Sequence, residues 1–282
     1  MACGGERENA DRAVCGIERE NADRAVCGGE RENADRVGVQ QRMGIWMKGM
    51  NMGYFKAEEY VDLNGVRIHY VAIGEGRPVL MVHGNGESHD YLYSEIDRLS
   101  KAGYRVFAPD SRGHGANEPL GEYHYADMAE DMFLFIKKMG LVRPAYFGHS
   151  DGGIIGLMLE INHPGTLSMM AVSGANLSPD GLEASFVNEC AAKNEESKDP
   201  LLTLMLTEPN IDPSLLGRIT IPVLVTAGEN DLILPAETRR IAEHLPNSRL
   251  MIIKGEDHGS YIKDSDIMGD ILVDFFNGRL DE

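Results

Sequence analysis

The chain has 282 residues, with 27 lysines and arginines against 45 aspartates and glutamates and a formal net charge of −18. A length of this order can bury a substantial core, either as one large α/β domain or as two small ones. Recognition of a phosphate backbone needs basic patches, and the sequence has none, so nucleic acid is excluded as a partner. The apolar runs fall short of the roughly 18 residues that a spanning helix requires, so no membrane partner is expected. Four cysteines, three of them within the first 30 residues and Cys190 alone in the rest, exclude a disulfide scaffold. Their spacing of twelve fits no zinc pattern, and no metal site is expected.

Cys3, Cys15 and Cys27 each open a copy of one unit, CGGERENADRAV with small variations. A unit rich in Arg, Glu, Asn and Asp, with only Ala, Val and Ile17 to bury, cannot offset its ordering entropy. Residues 1–42 are therefore expected to be a disordered tail, and residues 52–282 a folded domain. The tail holds seven arginines and nine acidic residues, a net of −2, which leaves −16 of the −18 on the rest of the chain. The apolar stretch Ile45–Phe55 contains glycines and is short, so it reads as a lead-in to a sheet. The tail lacks the apolar core of a signal peptide, and Cys190 has no obvious structural partner, so the cytoplasm is the expected compartment. Nothing in the sequence reports an oligomeric state.

Beyond Met52, short β-rich runs alternate with amphipathic stretches, the pattern of a mostly parallel sheet covered by helices. Glu59–Leu63 and Val66–Ile73 form an expected hairpin around Asn64-Gly65. Val79–Val82 reads as a buried strand, followed by a glycine loop and a helix over Ser88–Lys101. The strand Arg105–Ala108 leads to a helix over Tyr125–Met139, whose Met128, Met132, Phe135, Ile136 and Met139 recur at helical spacing. Strand Ala145–Phe147, helix Gly152–Ile161 and strand Leu167–Val172 follow. Val223–Ala227, Pro235–Leu245, Leu250–Ile253 and Asp266–Phe276 complete the alternation as strand, helix, strand and helix. Between Asn176 and Gly217 no strand signal occurs, and Glu183–Cys190 and Leu201–Leu206 read as helices of an insertion over the ligand-binding edge of the sheet.

The chemistry centres on Gly148-His149-Ser150-Asp151-Gly152-Gly153, set between a predicted strand and a predicted helix. A sharp strand-to-helix turn pushes its central side chain out at the strand end. It needs small residues two before and two after, because a Cβ there collides across the turn. Ser150 is thus the candidate nucleophile, and the N–H of Asp151, at a helix N-terminus, a candidate oxyanion donor. A serine hydroxyl needs a base. His258, in the glycine-flanked loop after the last predicted strand, is the expected one. Asp231, just after strand Val223–Ala227, is the expected orienting carboxylate, with Glu229, Asp257 and Asp180 as rivals. His83-Gly84-Asn85-Gly86 follows strand Val79–Val82, and the Asn85 N–H is the expected second oxyanion donor. His89, Tyr91 and Tyr93, close behind that loop, are candidates for a substrate pocket. Phe186 and Leu206, with Leu182, Leu204 and Met205, could give the insertion an apolar underside over that pocket.

These motifs, with Asp110-Ser111-Arg112-Gly113-His114-Gly115 among them, occur in the order found in α/β-hydrolases, and the domain resembles that family over about Glu58 to Asn277. The resemblance implies an eight-stranded, mostly parallel sheet with helices on both faces, a short helical lid over about residues 176–217, no cofactor, and a Ser150-Asp231-His258 triad. It implies structural roles for Arg112 and His114. Haloalkane dehalogenases and epoxide hydrolases of the fold carry Asp at the nucleophile position, whereas this chain has Ser150. A serine hydrolase acting on a small-to-medium carboxylic ester is the expectation. Its alternatives are a C–C hydrolase or cofactor-free perhydrolase of the same fold, and a ligand-binding receptor built on it.

Overall fold

The computed structural model describes residues 59–63 and 65–280. The period-twelve repeat, the Ile45–Phe55 stretch and Asn64 of the hairpin turn lie outside the described residues. Eight strands form one sheet: β1 (Glu59–Leu63), β2 (Val66–Ile73), β3 (Arg77–Val82), β4 (Tyr104–Pro109), β5 (Ala145–His149), β6 (Met169–Ser173), β7 (Val223–Gly228) and β8 (Ser248–Ile253). Their spatial order is β1-β2-β4-β3-β5-β6-β7-β8. β1 and β2 pair antiparallel, as do β2 and β4, and every pairing from β4 through β3 to β8 is parallel.

Parallel strands require crossovers, so both faces of the sheet are covered and the central strands are mostly apolar, with His149, Ser173 and Thr226 as buried polar exceptions. The two-residue period of each strand divides its side chains between two cores. Leu80 and Val82 join Tyr146, Met170, Val172, Val223 and Val225 on one face. There they pack against α2 (Tyr125–Lys138), α3 (Asp151–Asn162) and α6 (Pro235–His244), through Met132, Phe135, Ile154, Ile155 and Ile241. Val79 and Met81 join Ala145, Phe147, Ala171 and Leu224 on the other face. They meet α1 (Tyr93–Lys101) and α7 (Ile267–Phe276), through Ile96, Leu99, Met268 and Leu272. The methionines of α2 are core packing, with Met128 and Met132 fully buried.

Two elements start later than the sequence pattern suggests. The expected helix Ser88–Lys101 divides into a 3₁₀ turn, His89–Leu92, and then α1. The Asp110 carboxylate takes both the backbone N–H and the ring Nδ1 of His89 at 2.8 Å, pinning the turn. The expected strand Leu167–Val172 becomes Met169–Ser173, because Glu160 accepts from the N–H groups of Gly165 and Leu167 and diverts them from the sheet ladder.

The insertion between β6 and β7 holds α4 (Ala184–Ser197) and α5 (Pro200–Thr207). It is tied down by two acids, one buried and one partly exposed. Glu237 of α6 accepts from the Leu177 N–H at 2.8 Å, and Glu208 accepts from the Tyr125 N–H and bonds His124 Nδ1. The segment also bridges to the loop after β7, where Leu182 pairs with Ile233.

Asp110, at the end of β4, gathers the strand ends beneath the site. Its carboxylate accepts from His69 Nδ1, Ala116 N–H and both His89 groups, at 2.8–3.1 Å. Gly115 lies against it at φ +55°, where an added Cβ would come within 2.2 Å of Asp110 Oδ2. Gly115→Ala therefore combines a left-handed backbone with a clash and should cost about 1–3 kcal/mol. That appears as a fall of several degrees in the thermal midpoint followed by circular dichroism. Gly121→Ala, with nothing within 4 Å of the new Cβ, should leave the midpoint within about a degree. Equal midpoints for the two variants would contradict this account.

Candidate active site

Ser150 sits between β5 and α3 at φ 52°, ψ −116°, a backbone conformation that a residue with a Cβ rarely adopts. The turn is tight enough that both flanking glycines are obligatory. A Cβ on Gly148 would lie 2.1 Å from the Gly152 carbonyl oxygen, and one on Gly152 would lie 2.0 Å from the Val82 carbonyl oxygen. The Ser150 N–H donates to the Ser173 carbonyl at 2.7 Å, tying the turn to the end of β6.

Three separate loops meet at this turn. His258 Nε2 lies 3.1 Å from Ser150 Oγ, and His258 Nδ1 lies 2.6 Å from Asp231 Oδ1. Asp231 is buried, and its carboxylate also accepts from the N–H groups of Gly228 and Ile233. Burial raises the pKa of Asp231, but the His258 charge and these hydrogen bonds outweigh it and hold the carboxyl below its ordinary value. For His258, burial acts to lower the pKa. The charge and hydrogen bond of Asp231, helped by Asp257, reverse that and hold the imidazole above its ordinary value. The rival acids are turned elsewhere: Glu229 accepts from Gly255 N–H, Asp257 caps the N–H groups of Gly259 and Ser260, and Asp180 is exposed.

The loop after β3 packs onto the same turn. A Cβ on Gly84 would lie 3.1 Å from Ser150 Cβ. The Asn85 amide Nδ2 donates to Asp151 Oδ2 at 3.0 Å and to the Leu201 carbonyl of α5 at 3.3 Å. Among the described residues, neither the Asn85 nor the Asp151 backbone N–H donates to another group. The Asp151 side chain itself is buried. Tyr125 donates to its Oδ1 at 2.7 Å, and burial, opposed by the Tyr125 and Asn85 hydrogen bonds, holds the carboxyl above its ordinary value. Beneath the loop, Ser111 N–H donates to His83 Nε2, so His83 Nδ1 carries the proton and donates to the Gly84 carbonyl at 2.8 Å. Burial pushes the His83 imidazole down to about 4, keeping it neutral.

The residues considered for the pocket are spread more widely. His89 is held by Asp110 beneath the loop. Tyr91 stacks on the His149 ring, with centroids 5.5 Å apart and planes 7° off parallel, and its hydroxyl abuts Gly259 in the loop of His258. Tyr93 is exposed at the start of α1, under the charges of Asp97 and Lys101, and is not brought to Ser150. Phe186 and Leu206 pack with Met205 around Cys190 and Leu202 in a small core between α4 and α5. Arg112 pairs with Asp127 and Asp131, and His114 bonds the Arg112 carbonyl, so both brace a loop.

Two groups near Ser150 have no counterpart in the sequence analysis. His149 is buried between the rings of Tyr91 and His258, its centroid 4.9 Å from that of His258. Glu87 is half-buried and accepts from the Gly84 N–H at 2.8 Å. The one group of potential metal ligands among the described residues is His69, His89 and Asp110, with ligand atoms within 4.8 Å of one another. Asp110 already accepts four hydrogen bonds there, with both rings turned to it through Nδ1. This is the arrangement of a hydrogen-bonded knot.

Comparison with known proteins agrees with this architecture. A family model described as alpha/beta hydrolase fold matches residues 77–196, and one described as TAP-like protein matches residues 184–281. The serine hydrolase BPHL of Homo sapiens is 26% identical over 246 residues, covering 76% of this chain and 84% of that protein. Among solved structures, a serine hydrolase involved in carbazole degradation (CarC enzyme) has a TM-score of 0.66 at 23% identity, covering 80% of this chain and 100% of the other. A bromoperoxidase from Bacillus anthracis has a TM-score of 0.70 at 21% identity, covering 78% of this chain and 100% of the other. With its eight-stranded, mostly parallel sheet, the chain belongs to the alpha/beta hydrolase superfamily, a family of hydrolytic enzymes.

Proposed function

We propose that the protein is a serine hydrolase that cleaves a small-to-medium carboxylic ester through an acyl-enzyme, with Ser150, His258 and Asp231 as its triad. The observation that carries this reading is the continuous chain Ser150 Oγ, His258 Nε2, His258 Nδ1 and Asp231 Oδ1, with links of 3.1 and 2.6 Å, on a strained turn. In the first step Ser150 Oγ attacks the ester carbonyl carbon while His258 Nε2 takes the hydroxyl proton. Asp231 fixes the tautomer that leaves Nε2 unprotonated, and stabilises the imidazolium that forms. The carbonyl oxygen gains a negative charge, which the Asn85 and Asp151 N–H groups receive in this scheme. His258 then gives its proton to the departing alkoxide. Water, deprotonated by His258, attacks the acyl-enzyme and releases the carboxylic acid, and the proton returns to Ser150. The insertion supports a substrate of limited size, because α5 reaches the oxyanion loop through the Leu201 carbonyl and so covers one side of the site. The reactants of this scheme are a small molecule and water, in agreement with a reading that needs no cofactor.

Ser150→Ala should lower hydrolysis of a short-chain p-nitrophenyl ester by about 10⁴-fold or more. Near-full activity in this variant would remove Ser150 as nucleophile. Asp231→Asn should lower turnover by about 10⁴-fold as well. It should also move the acid limb of the pH–rate profile. The neutral imidazole is the active form, so rate climbs as pH passes the His258 pKa, which Asp231 holds above its ordinary value. Loss of that charge lowers the pKa, so the limb shifts to lower pH while the plateau falls. A limb that stays in place or moves upward would show that Asp231 is not the partner of the base.

A further inference from the structure

Glu87 is the one carboxyl-bearing residue on the turn that carries the oxyanion loop, and the triad does not use it. Its Oε2 accepts from the Gly84 N–H at 2.8 Å. The point where a Gly84 Cβ would lie is 2.9 Å from that oxygen and 3.1 Å from Ser150 Cβ, so carboxyl and nucleophile converge on one face of one glycine. Among the described residues, no lysine, arginine or histidine lies at ion-pair distance from it. A carboxylate in that position opposes the negative charge that hydrolysis builds on the substrate oxygen a residue away, at the Asn85 N–H. A protonated carboxyl does not oppose it, and it offers an O–H to the same pocket.

We propose that Glu87 is a second acid–base group of this site: it holds a proton while Ser150 reacts, and losing that proton shuts the site down. The proposal rests on the reading of Ser150 as nucleophile. The surroundings favour the protonated form at neutral pH. Burial is the largest influence and pushes the Glu87 carboxyl up to about 8, against the opposing pull of the Gly84 N–H. The charged and titratable groups that face it come from every neighbouring element. His258, from the loop after β8, favours the carboxylate; Asp151, at the start of α3, disfavours it; Lys263, beyond His258, favours it weakly. Tyr91, on the 3₁₀ turn of its own loop, is raised first by burial and next by Glu87. The sign follows from an acid whose pKa is raised. Below about 8 Glu87 is neutral and the site works. Above it the carboxylate forms and the rate falls.

The test is the rate of covalent labelling by a fluorophosphonate, measured from pH 5 to 10 on the full chain, with labelled peptides sequenced. The unsubstituted protein should label on Ser150 with a bell-shaped profile, and its rate should fall at least tenfold between pH 7.5 and 9.5. Glu87→Gln keeps an oxygen acceptor for the Gly84 N–H but cannot ionise, so its alkaline limb should vanish, with labelling as fast at pH 9.5 as at 7.5. Glu87→Ala, which strands the Gly84 N–H, should label more slowly at every pH. A flat alkaline profile in the unsubstituted protein, or an unchanged limb in Glu87→Gln, would overturn the proposal. If Glu87→Gln does not fold, as judged by circular dichroism, the unsubstituted profile still decides, since a flat rate above pH 7.5 refutes it. The two readings separate cleanly. No labelling of Ser150 at any pH sinks the nucleophile, whereas labelling with an acid limb alone sinks only the role of Glu87.

Discussion

The left-handed backbone of Ser150 is the constraint on which the rest of the site depends. A serine at φ 52° stores about 1–3 kcal/mol of strain, and it persists only where its surroundings leave no alternative. Here the surroundings are backbone. Gly148 meets the Gly152 carbonyl, Gly152 meets the Val82 carbonyl, and the Ser150 N–H is held by the Ser173 carbonyl. The turn is thus clamped between the ends of β3, β5 and β6, three parallel neighbours at the middle of the sheet. Relaxing it would require those strands to separate, with loss of the cores on both faces. The burial of Val82, Phe147 and Val172 therefore holds the hydroxyl at the rim.

A second theme is the economy with which buried and half-buried acids are satisfied. Asp110, Asp231, Asp151 and Glu87 lie around one group of loops, and no lysine or arginine is paired to any of them among the described residues. Backbone N–H groups, imidazoles, a phenol and an amide do the stabilising. Because each environment differs, so do the protonation preferences. Asp110 and Asp231, rich in donors, are held low, while Asp151 and Glu87, poorer in donors for their burial, are held high. Acids pushed apart in this way would let one loop cluster supply, on the proposed reading, both an anion to orient a base and a neutral carboxyl near a forming oxyanion. One of these acids, Asp151, also braces the lid. Asp151 bonds Tyr125, whose backbone N–H holds Glu208 at the end of α5, and Asn85 reaches from Asp151 to the Leu201 carbonyl at its beginning.

Much of this was readable from residue order, and the reason is physical. The glycine spacing around Ser150 answers a local steric demand, so it is written in six consecutive residues. Strand ends deliver groups after β7 and β8 to the same edge in a sheet of this topology, which made Asp231 and His258 candidates; Glu229, Asp257 and Asp180 remained rivals until the contacts of each were seen. What was not readable depends on approach between distant segments. His89 and Tyr93 stand close to the oxyanion loop in sequence. The Asp110 carboxylate draws His89 beneath the loop, and the turn into α1 carries Tyr93 to the surface. Phe186 and Leu206 read as an apolar underside, yet Cys190 and Leu202 take them into the small core of the lid. Tyr125 served in the sequence only to mark the start of a helix; that its hydroxyl meets Asp151 follows from how α2 lies across α3. Glu87 lay unremarked in a glycine loop because its significance is its nearness to Gly84 and Ser150, which no spacing rule expresses.

The central claim is that Ser150 is the nucleophile, activated by His258. It is tested most directly by treating the protein with a fluorophosphonate and locating the adduct by peptide mass spectrometry. The account predicts one phosphonyl group per chain, on the peptide containing Ser150, and a greatly reduced yield when His258 is replaced by alanine. An adduct on another residue, no adduct at all, or full labelling of Ser150 without His258 would contradict it.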